Sequence, residues 1–223
     1  EYIESDYIPS SRFNIDDMYK ELLQFAGSIK NTYISSLLKA FFVDDADFIR
    51  KFKSVAAGKS VHHGFAGGLL EHSLSVTRMC DKIASNYDFL NRDLLVACGM
   101  LHDCGKVREL AEFPKNDYTD EGQLLGHIII GTEMISEHIR AIPDFPVQLA
   151  NELKHCILSH HGELEFGSPK KPALVEAMAL SFADNVDAKM QTMKEALAAV
   201  PQGNTEWQGF NRFLGTNIRK TAE

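Results

Sequence analysis

The chain has 223 residues, 44% of them apolar and 24% charged, with a formal net charge of −8. That length suits one well-buried domain and is short for two large ones. The acidic balance argues against a broad nucleic-acid-binding face, and no apolar run approaches the roughly 20 residues of a bilayer span.

Taken in order, residues 1–13 read as an extended lead-in, and Glu1 to Asp6 are acidic and polar rather than signal-like. The chain does not begin with Met, which leaves room for an upstream domain. Asn14 predicts an N-cap for a helix to about Lys30, with Asp16 and Asp17 in its first turn. Helices over Tyr33–Phe42 and Ala46–Val55 complete an N-terminal subregion, 1–58, packed on the core. A Gly- and His-rich loop, Gly58–Gly68, follows. Five core helices are predicted over about 69–86, 92–104, 121–140, 146–161 and 172–199, within a main domain of 59–200. Gly162 suits a helix C-terminus and Pro172 the first turn of the last helix. Residues 201–223, with Pro201, Gly203 and Gly209, read as a loosely packed tail. No sustained period-2 stretch with hairpin turns stands out, so the fold class is all-α. Cys80, Cys98, Cys104 and Cys156 form no C-x-x-C pair and read as buried thiols, in keeping with a reducing cytoplasm.

Helical spacing puts ionisable groups on the inward stripe of every core helix. The stripes are Leu69, His72, Val76, Met79 and Ile83; Leu95, Cys98 and His102; Leu124, His127, Gly131 and Met134; Leu153, Ile157 and His160; and Ala177, Leu180, Asp184 and Asp187. A single inward histidine is ordinary core. Inward carboxylates beside several inward histidines call for a common partner, since an unpaired buried charge is costly, and a divalent metal is a natural one. His102 and Asp103 are neighbours, which diverge by about 100° on a helix. A helix C-terminus, supplied by Gly105, lets both reach one centre.

The order His72, His102-Asp103, Asp184 resembles the H…HD…D signature of the HD superfamily of metal-dependent phosphohydrolases. The resemblance implies an all-helical bundle with the metal between core helices. It narrows through His62-His63 followed by Gly67-Gly68-Leu69-Leu70-Glu71-His72, Gly122-Gln123-Leu124-x-Gly126-His127, Ser159-His160-His161-Gly162, Gly167-Ser168-Pro169-x-x-Pro172 and Asp184-x-x-Asp187-Ala188-Lys189-Met190. As a set, these motifs resemble the YhaM-type 3′–5′ exoribonucleases of bacteria. Members commonly carry an N-terminal OB-fold that binds single-stranded nucleic acid, and the 223 residues contain none, so a missing OB-fold domain is one expectation.

By that resemblance one metal takes His72, His102, Asp103 and Asp184, and a second takes His127, His160 and His161, with Asp103 bridging. Manganese is the implied ion, with iron, cobalt, nickel or zinc as alternatives. The reaction implied is hydrolysis of single-stranded RNA to nucleoside 5′-monophosphates by a hydroxide activated between the metals. Lys106 is expected either to contact a phosphate oxygen or to cap a helix end. Arg108, Lys170 and Lys171 either extend a phosphate track or are surface charge, and Ser168 borders the site if its loop does. His63 either meets substrate or the leaving oxygen or is a solvated loop residue, like His62. Glu71 and Asp187 are candidates to orient ligands, Asp187 alternatively pairing with Lys189 or Lys154; His138 and His155 read as structural. Two other functions remain open: hydrolysis of cyclic dinucleotides or other small nucleotides, and a non-catalytic nucleotide-binding module. The last helix and the N-terminal helices are candidates for a homo-oligomer interface.

Overall fold

A computed structural model describes residues 11–58, 64–113 and 115–222. Nine α-helices make up almost all of the regular structure among these residues: α1 (Ile15–Gly27), α2 (Thr32–Lys39), α3 (Ala46–Ser54), α4 (Gly68–Asn86), α5 (Arg92–Leu101), α6 (Lys106–Glu109), α7 (Asp120–Ala141), α8 (Val147–Ser159) and α9 (Val175–Leu197). Short polar side chains start several of them. Asn14 accepts from the Asp16 and Asp17 amides, Asn31 from Tyr33 and Ile34, Asp45 from Phe48, Asn91 from Leu94 and Thr119 from Gly122. Each such cap contributes about 1 kcal/mol.

The helices enclose one core. It runs from Met18 and Leu22 of α1 through Leu69, Leu74 and Leu95 to Leu180 and Ala183 of α9. Helix α4 lies at its centre, packed on α5, α9, α1 and α3. Between α2 and α3 the helix widens into a π-turn, Ala40–Asp44. The wider turn breaks the ordinary phase, so the consecutive Phe41 and Phe42 both point inward and pack on Phe48.

Several local expectations are corrected. The fifth core helix begins at Val175, so Pro172 lies before it, and the Ala173 amide donates to His155 Nε2 at 2.8 Å instead of entering a helix. The segment after residue 200 is mostly exposed and carries a small antiparallel hairpin, β1 (Phe210–Asn211) with β2 (Thr216–Asn217), beside which Ile218 is only 5% exposed. Leu124, assigned to an inward stripe, is 82% exposed. Gly126 interrupts α7 with φ 72° and ψ 156°, so the helical phase of residues 127–134 does not extend back to Leu124. Among the described residues no helix is long and apolar enough to cross a membrane. The four cysteines are free and buried.

Candidate metal centre

Helix α4 presents His72 from the middle of the core. Helix α5 ends at Leu101, and the chain winds on through tight turns in which Cys104 N bonds Leu101 O and Lys106 N bonds Asp103 O, both at 3.0 Å. This winding turns both His102 and Asp103 inward, and each is fully buried. Gly105 does not adopt the left-handed helix stop predicted for it; its φ is −64°. Glycine is required there because a Cβ would lie 2.1 Å from the His127 carbonyl oxygen. The bare backbone brings α7 against the His-Asp turn.

Helix α7 brings His127, oriented by the break at Gly126 and by Glu109 on α6. The end of α8 brings His160 and His161, after which Gly162 turns the chain at φ 82°. Helix α9 supplies Asp184 and, one turn on, Asp187.

These side chains converge on Asp103. His72 Nε2 lies 3.4 Å from Asp103 Oδ2, 3.2 Å from Asp184 Oδ1 and 3.1 Å from His102 Nε2. His102 Nε2 is 3.4 Å from Asp103 Oδ2. On the other carboxylate oxygen, Asp103 Oδ1 is 3.4 Å from His127 Nε2 and 3.7 Å from His160 Nε2. Two donor groups result, each with ligand atoms mutually within 4.8 Å: His72, His102 and Asp184; and His127, His160 and His161.

The outer nitrogen of every ring is already committed. His72 Nδ1 donates to Asp187 Oδ2 (2.7 Å), His102 Nδ1 to Gly99 O (2.9 Å) and His127 Nδ1 to Glu109 Oε1 (3.0 Å). His160 Nδ1 donates to Ile157 O (2.7 Å) and His161 Nδ1 to Phe166 O (2.8 Å). A carbonyl or carboxylate can only accept, so Nδ1 carries the proton in each ring. The neutral imidazole then offers its Nε2 lone pair inward, the arrangement found around metal-ligating histidines. Asp187 is itself oriented by the Ser75 hydroxyl.

Electrostatics point the same way. Burial opposes protonation of His72, but Asp103, Asp184 and Asp187 outweigh it and hold the imidazole well above its usual range. Burial would raise Asp103, yet Lys106 and His102 hold it well below the carboxylate range, and His72 and His102 similarly depress Asp184. Burial, with neighbouring imidazoles, pushes His160 well down and His161 down. The protein groups thus supply ionised carboxylates and, at His160 and His161, imidazoles held neutral, while the raised His72 shows that the carboxylates demand positive charge between them. Asp103 Oδ1, His127 Nε2 and His160 Nε2 are buried without a hydrogen-bond partner. Three orphaned acceptors around one point fit a cation, and this mixed nitrogen and oxygen set suits a divalent transition metal.

The other predicted residues fall as follows. Lys106 pairs with Asp103 Oδ2 at 2.7 Å and lines the cleft over the cluster, together with His161, Ser181, Asn185 and Lys189. It is the first residue of the four-residue α6 and so also lies in that helix's last turn. Arg108 pairs with Glu121 Oε2 at 3.2 Å and lines a different surface depression. Lys170 and Lys171 are exposed and do not line the cleft, Lys171 pairing with Glu163. Ser168 is buried. Glu71 accepts from the Ser11 hydroxyl. His138 donates to Met134 O and stacks on Phe41, and His155 holds Ala173, both structural. His62 and His63 lie outside the described residues. Sequence reasoning missed Glu109, whose only signal is an acidic residue six positions after Asp103, and the aromatic pair Phe166 and Phe213, which also lines the cleft.

A helical bundle that gathers histidines and aspartates from five elements around one buried carboxylate defines a divalent-metal-binding domain. Residues 69–189 match the model of the HD domain, and the chain belongs to that family. It is similar to the 3'-5' exoribonuclease YhaM of Bacillus subtilis, with 38% identity over 200 residues, and of Bacillus velezensis, with 37%. The match to YhaM of Geobacillus sp. is 36% over 202 residues. These alignments cover 89% of the chain but 60–62% of the relatives, so the chain spans less than two thirds of their length. No solved structure matches the chain.

Proposed function

We propose that the chain is a metal-dependent phosphodiesterase acting as a 3′–5′ exoribonuclease that releases nucleoside 5′-monophosphates in the cytoplasm. The observation that carries the reading is the trio of buried, unpartnered acceptors, Asp103 Oδ1, His127 Nε2 and His160 Nε2, beside two three-residue donor groups. The substrate class rests on similarity to the YhaM exoribonucleases.

In this reading His72, His102, Asp103 and Asp184 hold one ion and His127, His160 and His161 the other, with Asp103 shared between them. Divalent cations there, manganese first, supply Lewis acidity at a phosphoryl group and a lowered water pKa. The protein's part is to keep Asp103 and Asp184 ionised and, through the committed Nδ1 protons, to turn each Nε2 toward the site. Lys106 is half-buried, and although desolvation opposes its charge Asp103 holds its pKa up, so it remains an ammonium at the cleft. It offers that charge to a non-bridging phosphate oxygen. Lys170 and Lys171, exposed and outside the cleft lining, would meet phosphates only farther along a strand.

The test is digestion of 5′-labelled single-stranded RNA by chelated protein with manganese restored. A ladder shortening from the 3′ end with 5′-monophosphates released is expected. Asp103→Asn is expected to lose cleavage and bound metal while keeping its helical circular dichroism. A fully active Asp103→Asn protein sinks the reading, and turnover of cyclic dinucleotides without RNA cleavage replaces the substrate.

A further inference from the structure

The cleft over the metal-facing residues has a volume of about 410 Å³ and is walled by two kinds of group. One is polar: Asp103, Lys106, Asp184, Asn185 and Lys189. The other is aromatic: Phe166 from the turn after α8, and Phe213 from the tip of the C-terminal hairpin. The rings are 60% and 72% exposed. Leaving two phenylalanines largely in water forgoes favourable burial, so their shared position at one cleft marks a surface meant to be covered.

Neither ring sits on a loose segment. Phe166 O accepts the His161 Nδ1 proton, so the bond that sets the tautomer of a metal-facing histidine also fixes the turn bearing the ring. Phe213 is held by Asn211, whose Oδ1 accepts from the Phe213 and Leu214 amides at 3.0 Å. The hairpin below is closed by Gln208 N to Ile218 O (2.8 Å) and by buried Ile218.

We propose that Phe166 and Phe213 form a nucleobase-stacking site, which takes the base of the 3′-terminal nucleotide while its phosphodiester lies among the metal-facing groups. The inference rests on the phosphodiesterase reading and adds the residues that recognise the leaving nucleotide. A ligand that satisfies aromatic faces and cationic groups in one small cleft must carry a flat ring and an anion, and a nucleotide does. The cleft falls within the roughly 300–1,000 Å³ of small-ligand pockets. Phenylalanine has no group that reads a base edge, so stacking here accepts every base. Asn185 and Lys189 on α9 supply an amide and an ammonium for the sugar and the adjoining phosphate.

The experiment uses the full chain, chelated so that nothing is cleaved, and an RNA carrying 2-aminopurine at its 3′ end or its 5′ end. Fluorescence of the 3′-terminal probe is expected to change on binding, and that of the 5′ probe is not. Phe166→Ala and Phe213→Ala are expected to weaken binding by about 5- to 100-fold, with Phe213→Trp restoring it, which a lost hairpin would not allow. Equal signals from both ends, none from either, or Ala variants that bind like the parent overturn the proposal. With manganese restored, an RNA whose terminal nucleotide lacks its base is expected to show KM raised about tenfold. If that RNA is cleaved as well as the intact one, the stacking site falls and the exonuclease stands. If no RNA is cleaved but the 3′ signal depends on both rings, the exonuclease reading falls and the base site stands.

Discussion

Glu109 holds His127 at two points: its Oε1 accepts from the ring Nδ1 at 3.0 Å and from the backbone amide at 2.9 Å. Burial would raise this carboxyl, but His127 keeps it below its usual range, so it stays an acceptor. Partners of this kind orient ligand rings and sharpen their basicity. Glu109→Ala is expected to weaken metal binding about 10- to 100-fold, measured by titration of chelated protein. Glu109→Gln keeps an acceptor oxygen and is expected to recover part of the loss. Unchanged affinity in Glu109→Ala would show that His127 does not need this support.

Metal should act on folding as well as chemistry. A cation that binds the native site and not the unfolded chain stabilises by about 2.7 kcal/mol at a hundred times its Kd. Chelated protein is therefore expected to melt at a lower temperature and to recover when manganese is added. Asp103→Asn should lose most of that recovery. A melting temperature indifferent to metal in the parent protein would contradict the two donor groups.

Gly105 gives a purely steric prediction. A methyl group there meets the His127 carbonyl at 2.1 Å, backbone against backbone, and neither can swing away. Gly105→Ala is expected to destabilise the fold by about 1–3 kcal/mol in denaturant unfolding, and to lower metal occupancy by displacing α7. Full stability with full occupancy would mean that the α6–α7 contact yields more readily than its geometry implies.

His155 gives a prediction in pH. Burial and nearby Lys170 lower its pKa, and its Nε2 accepts the Ala173 amide at 2.8 Å, which requires the unprotonated ring. A histidine lowered on folding contributes stability fully above its unfolded value, near 6.5. That contribution is lost as pH falls through the depressed native value. The hydrogen-exchange protection factor of the Ala173 amide is therefore expected to fall on acidification from pH 7 to 5. Constant protection across that range would show that the bond does not hold the segment.

Much of this architecture is legible in the sequence because it depends on periodicity and on caps. The stripes through His72, His102, His160 and Asp184 needed only helical spacing, and Asn14 marks its helix start directly. The reading failed where a single residue resets the phase. Gly126 cuts α7, which leaves Leu124 in solvent while His127 points inward. Glu109 lies on a helix of four residues, too short to show a period. Phe213 belongs to a hairpin with two-residue strands, where alternation has no length in which to appear; Asn211 and Gly215 were the available turn signals.

The continuous core has a consequence for where the chain can be divided. The family match begins at residue 69, yet Phe41, Phe42, Phe48 and Phe52 are buried in the same cluster as Leu69, Leu74 and Leu95. A fragment cut at that boundary would uncover an apolar face and strip α4 of neighbours on the side away from the cluster. The segment that the family model matches is thus smaller than the continuous core, and the helices before it act as part of the scaffold that holds His72 in place.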